Sequence, residues 1–212
     1  MGQIVSVQVG RAVDAPWAVV KERSAIGKRS IATRVAVGWL GVEGDEQADT
    51  VNHGGRDQAV YAYAREDLDW WAARLDDGEL RNGIFGENLT VRGIDLNDAV
   101  LGECWRVGGA LLQVTAPRVP CAVFGAWMGR PGWIKRFTEV GRTGAYLRVL
   151  EEGDVGVGDP IVVERRPERS VTVAESFRAF HGDQDAMRRI LALPGHATKW
   201  DKIAERVLKD SG

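Results

Sequence analysis

The chain has 212 residues, 28 basic against 30 acidic, a net charge of −2, 44% hydrophobic and 27% charged residues. That length suits one good-sized domain plus something small, and the near-neutral balance excludes a nucleic-acid footprint and a polybasic membrane patch. No apolar run approaches the roughly 18 residues that span a bilayer. The N-terminus lacks the basic start and apolar stretch of a secretory signal. Two cysteines, Cys104 and Cys121, with no CxxC pair, suit a reducing compartment. The expectation is a cytoplasmic protein with no nucleic-acid or membrane partner.

Gly2 to Val9 alternates Ile4, Val5, Val7 and Val9 with small polar residues and predicts a strand. Val19 to Arg29 is basic and turn-rich. Ile31 to Val37 predicts a strand, and 38–44 a loop. Residues 44–63, GDEQADTVNHGGRDQAVYAY, place acids first, His53-Gly54-Gly55 in the middle and the strand-like Ala59 to Tyr63 last. Leu68, Trp71 and Leu75 fall at helical spacing, so Arg65 to Leu75 predicts a helix in which the Trp70-Trp71 pair packs. Asn88 to Val91 predicts a strand. Trp105 to Val107 and Leu111 to Thr115 flank Gly108-Gly109 as a hairpin. Short helices follow over 122–128 and 133–140, then strands over 145–150 and 160–164. Beyond Pro167 the pattern turns helical. Thr172 and Glu175 are spaced as a capping box, Asp183 can cap a second helix and Thr198 a third.

The fold class expected is therefore mainly β with helical insertions (α+β). It is a barrel or sandwich over 1–164, followed by a small three-helix domain over 165–212. A unit as small as the second rarely holds a core alone, so it should dock on the first.

The chemistry concentrates in QVTAPRVPCAVFG, residues 113–125. Pro117 and Pro120 stiffen the turn that follows a strand. Cys121 is thus presented three residues from the guanidinium of Arg118, and a fixed cation favours the nucleophilic, metal-binding thiolate. The alternative is a buried structural thiol, which is the reading for Cys104. His53 can act as an acid, a base or an anion donor, or can be a turn histidine satisfied by its carboxylate neighbours. Gly54 and Gly55 either let a ligand approach the backbone or make the turn into the strand. No GxGxxG, Walker A, HExxH or four-ligand zinc spacing is present.

GDEQADTVNHGGRDQAVYAY, GENLTVRGID and LGECWRVGGALLQVTAPRVPC, in this order and spacing, resemble the MOSC domain, named for the C-terminal domain of molybdenum-cofactor sulfurase. The helical tail resembles that of the family's YiiM-like branch. The resemblance implies a β-barrel that binds the molybdenum cofactor (molybdopterin), a pterin dithiolene with a phosphate arm, with the PRxPC cysteine, Cys121, as metal ligand and catalytic group. An anionic arm needs fixed cations and backbone N–H groups. Lys28, Arg29, Arg118, Arg142 and the His53-Gly54-Gly55 turn are the candidates, with Asn88 as a further pocket residue. Asp45, Asp49 and His53 are candidates for proton delivery. The implied activity is reduction of small N-hydroxylated compounds, such as hydroxylated purine analogues, by removal of the N–OH oxygen. A separate flavin or iron–sulfur reductase would supply the electrons. The alternatives are a sulfur carrier using a Cys121 persulfide, a non-catalytic cofactor-binding module, and a structural or interaction protein with no cofactor.

Overall fold

The computed structural model describes residues 2–18, 22–48, 54–76 and 78–209. In chain order the elements are β1 (Gly2–Val9), β2 (Val13–Asp14), β3 (Arg23–Ser24), β4 (Arg29–Ile31), β5 (Val35–Gly38), β6 (Gly41–Val42), β7 (Val60–Ala64) and α1 (Arg65–Leu75). There follow β8 (Leu89–Arg92), β9 (Cys104–Val107), β10 (Ala110–Pro117), α2 (Ala122–Met128), α3 (Trp133–Val140), β11 (Ala145–Glu151), β12 (Gly153–Val155) and β13 (Pro160–Arg165). The chain closes with α4 (Val173–Phe180), α5 (Gln184–Leu191) and α6 (Lys199–Lys209). Among the described residues no helix is long and apolar enough to cross a membrane.

The main sheet runs β13-β9-β10-β11-β7-β8-β1-β4, and β13 pairs back onto β1. That pairing closes the sheet into a barrel, with β4 added outside β1. The fold is mainly β with helical parts, as the many short strands and glycine turns imply. Every neighbouring pair is antiparallel except β7–β8. A parallel pair cannot be joined by a tight turn, and α1 lies in the crossover between them. The β9–β10 hairpin turns at Gly108-Gly109, where Gly108 has φ 54° and an added Cβ would sit 2.4 Å from the Asp154 carbonyl oxygen.

The stretch 31–37 is not one strand. The backbone bends after Ile31, so that β4 pairs with β1 while β5 pairs with β12 and β6 in a separate small sheet. Arg34 anchors the bend through ion pairs to Asp154 and Asp159, an arrangement of long-range partners that local alternation does not report. Part of the expected 38–44 loop is accordingly β6.

Two apolar clusters hold the molecule. The barrel interior, from Ile4 and Val7 to Trp105 and Leu147, is continuous with Met187, Ile190, Trp200 and Val207 of the C-terminal helices. The Thr172–Glu175 capping box forms in full, and Asp183 accepts from the Ala186 N–H. The second cluster is aromatic and lies on the face of β7 opposite the barrel interior: Tyr63, Trp71, Phe85, Phe124, Trp133 and Phe137. Phe85 meets Phe124 at 5.4 Å and Phe124 meets Phe137 at 5.0 Å, both edge to face. Such pairs add about 0.5–1.5 kcal/mol beyond their buried area. Phe124 belongs to α2, so this cluster fixes the segment that follows Pro117.

Candidate functional site

Asp45 is a hub for donors from three distant parts of the chain. Its carboxylate accepts from the Gly10 N–H at 2.7 Å, from Lys28 Nζ at 2.6 Å and from Asn88 Nδ2 at 2.8 Å. Gly10 allows this because its missing Cβ would lie 2.5 Å from the Ala25 carbonyl oxygen, so the 23–28 segment packs directly on it. Asn88 is itself fixed by β7: its Oδ1 accepts from the Tyr61 N–H at 3.1 Å, and its own N–H donates to the Tyr61 carbonyl at 2.8 Å. Lys28 is buried. Burial pulls its pKa below the ordinary lysine value, against the opposing pull of the Asp45 charge and hydrogen bond. Beside it Glu87 is fully buried, and burial raises its pKa. Donation from the Phe85 N–H at 3.0 Å and Thr90 Oγ1 at 3.1 Å opposes that rise.

The other half of the site comes from the turn after β10. Arg118 is 6% exposed, its guanidinium 3.9 Å from the centre of the Phe124 ring and 5.6 Å from that of Tyr61. Its buried Nη1 has no hydrogen-bond partner among the described residues. Leaving a buried charged donor unsatisfied is costly, so the geometry is that of a donor awaiting an acceptor. Cys121 is half-buried, in extended backbone at the N-cap of α2, and its carbonyl accepts from the Gly125 N–H at 3.0 Å. Both cysteines are thiols, not a disulfide.

The two halves meet at a cavity of about 370 Å³ whose wall includes Lys28, Asp45, Asn88, Gly54, Arg118 and Cys121. Ile26, Ala122 and Val123 give it apolar surface. Tyr61 and Tyr146 also line it, their rings 5.1 Å apart. Burial raises both phenol pKa values, so these rings are neutral walls at physiological pH.

Six of the residues singled out from sequence therefore converge on one cavity. Others stand apart. Arg142 pairs with Asp67 on α1 and lies 4.8 Å from the Trp70 ring, away from this wall. Arg29 is exposed on β4 and lines a different hollow with Arg81 and Trp127. Gly55 is not on the wall, and the N–H groups of the Gly54-Gly55 turn are already used: Gly54 donates to Gln58 Oε1 and Gly55 to Gln47 Oε1, each at 3.1 Å. Asp49 and His53 lie outside the described residues. Sequence reasoning passed over Gln47, Gln58, Tyr61 and Tyr146, all on the cavity wall. The two glutamines sit inside the GDEQADTVNHGGRDQ stretch, where a polar side chain on each side of a double glycine was the available signal.

Residues 49–162 match the MOSC domain. YflK of Bacillus subtilis, an uncharacterized protein, is 34% identical over 200 residues, which is 93% of this chain and 90% of that one. A reductase of Gibberella moniliformis is 34% identical over 147 residues, 68% of this chain but 26% of that longer one. The crystal structure of YiiM from Geobacillus stearothermophilus superposes with a TM-score of 0.80 at 30% identity, covering 98% of this chain and all of that one.

Proposed function

The chain belongs to the MOSC domain family, and from that premise we propose that its main cavity holds a molybdenum cofactor and reduces small N-hydroxylated molecules. One observation carries the reading. A thiol, a buried guanidinium with an N–H that has no partner among the described residues, and a lysine–carboxylate pair share the wall of one cavity. These residues fit the group. Thiolate sulfur is a soft donor suited to a sulfur-rich transition metal, and the Arg118 fork suits the oxygens of a phosphate arm. When bound, the cofactor supplies two-electron removal of oxygen from N–OH.

The chain's own contribution is binding, exclusion of water and proton handling. Cys121 Sγ is the metal ligand, and Arg118 Nη1 holds the anionic arm. Ile26, Ala122 and Val123 exclude water from the reacting side. Asp45 already accepts three hydrogen bonds, so its role is to hold Lys28 rather than to donate. Lys28 Nζ, with its pKa lowered by burial, is the group placed to release a proton toward the departing oxygen. A flavin or iron–sulfur reductase separate from the MOSC barrel supplies electrons. The reductase named above, in which the matching region is about a quarter of the chain, is consistent with such a pairing of functions.

The test is molybdenum content by elemental analysis of protein from a cofactor-competent host, beside Cys121→Ser, followed by N-hydroxy reduction with a reduced dye as donor. Near-stoichiometric metal and turnover in the wild type, with both lost in the variant, is the expected result. Full metal and activity in Cys121→Ser would sink the proposal. A persulfide on Cys121 with no metal would replace it by sulfur carriage.

A further inference from the structure

The seam between the barrel and the C-terminal helices holds a second cavity of about 360 Å³. Arg148 of β11, Arg165 of β13 and Arg169 line it, with His196 from the α5–α6 turn, and among the described residues no carboxylate is on its wall. Among the described residues none lines both this cavity and the main one.

The charges here are only partly compensated. Arg165 Nη2 lies 3.1 Å from Cys104 Sγ, and among the described residues no carboxylate forms an ion pair with Arg165 or Arg169. Arg148 reaches Asp57 at 2.8 Å, but its Nε is buried with no hydrogen-bond partner among the described residues. His196 Nε2 is 3.0 Å from Asp201 Oδ1, a carboxylate that favours the charged imidazole. Like charges gathered in a cleft repel one another, and a bound anion relieves that repulsion.

We propose that this seam is an anion site for a compact phosphate-bearing molecule. Guanidinium forks match the oxygens of a phosphate group. A multiply charged ligand answers three arginines better than a single carboxylate does. Leu101, Val114 and Leu193 supply aliphatic surface, and among the described residues the imidazole of His196 is the one aromatic ring on the wall. A cavity of this size takes a small body attached to the phosphate. Because its walls come from both the strands and the helical tail, an occupant also clamps the tail to the barrel and stabilises the folded chain by mass action.

The experiment is titration calorimetry of the full chain with pyrophosphate, repeated with inorganic phosphate and with glycerol 3-phosphate to separate free phosphate from a phosphate ester. The double variant Arg165→Gln/Arg169→Gln changes exposed side chains and leaves the half-buried Arg148 in place. Saturable binding by at least one probe is expected, weakened by about tenfold in the double variant and unchanged in Arg118→Met, which alters only the main cavity. No saturable binding by any probe, binding at full strength in the double variant, or an equal loss in Arg118→Met overturns the proposal.

Discussion

The two halves of the main cavity follow opposite rules of hydrogen bonding. On the Lys28–Asp45–Asn88 side, the carboxylate accepts from the lysine, from the asparagine and from a backbone N–H. On the Pro117–Cys121 side, Arg118 is as deeply buried as Lys28, yet it packs on rings and leaves one nitrogen without a partner among the described residues. A satisfied buried cluster specifies shape, and taking one member away leaves the rest stranded. An unsatisfied one is a cost that the rest of the fold carries until a ligand arrives. The first half is a scaffold that holds Lys28 in place on the cavity wall, and the second is the binding surface.

The contrast between the two halves rests most heavily on Asp45. Asp45→Ala strands the buried Lys28 and should cost about 3–5 kcal/mol of unfolding free energy, measured by urea denaturation; a loss within experimental error would mean that this half is not scaffold. Next is Gly54, whose φ is +124° and whose added Cβ would lie 2.1 Å from Gln47 Oε1. Gly54→Ala should lower stability by about 1–3 kcal/mol in the same assay. It would also displace the Gln47 side chain from the cavity wall, which a crystal structure of the variant would reveal.

Lys199 sharpens the comparison through pH. Its Nζ lies 5.5 Å from the centre of the Tyr146 ring, and burial lowers its pKa to about 7, against the opposing charge of Asp57. Between about pH 7 and the unfolded lysine value near 10.4, the unfolded chain binds the extra proton. Stability must therefore rise with pH across that window, with the full penalty present below it. Lys199→Met should flatten that slope in unfolding measured from pH 6 to 10; an unchanged slope would place the titration elsewhere. The smallest change in stability is expected for Arg118→Met. A side chain of similar length that removes an unsatisfied charge should shift unfolding free energy by less than about 1.5 kcal/mol, while molybdenum retention falls. A large stability loss would move Arg118 to the scaffold side.

Much of this architecture was legible from residue order. Helix α1 follows from Leu68, Trp71 and Leu75, the β9–β10 hairpin from Gly108-Gly109, and α4 from the Thr172–Glu175 box. Each is set by contacts within a few residues, so local pattern suffices. The bend after Ile31 was not legible, because Arg34 is held by acids more than a hundred positions away. Arg142 looked like a fixed cation for an anionic arm from its place in a loop, but Asp67 claims it.

Residue order alone was enough for most strands and helices, the helical tail and the motif that sets Cys121 and Arg118 on a proline-stiffened turn. Tertiary structure decided the β13–β1 closure and the parallel β7–β8 pair. It also decided which of the many charged side chains share a cavity. The physical reason is range: φ constraints, capping and periodicity act over a few residues. Whether a buried charge is satisfied depends on partners that only the closed barrel brings together, as Gly10, Lys28 and Asn88 are brought to Asp45.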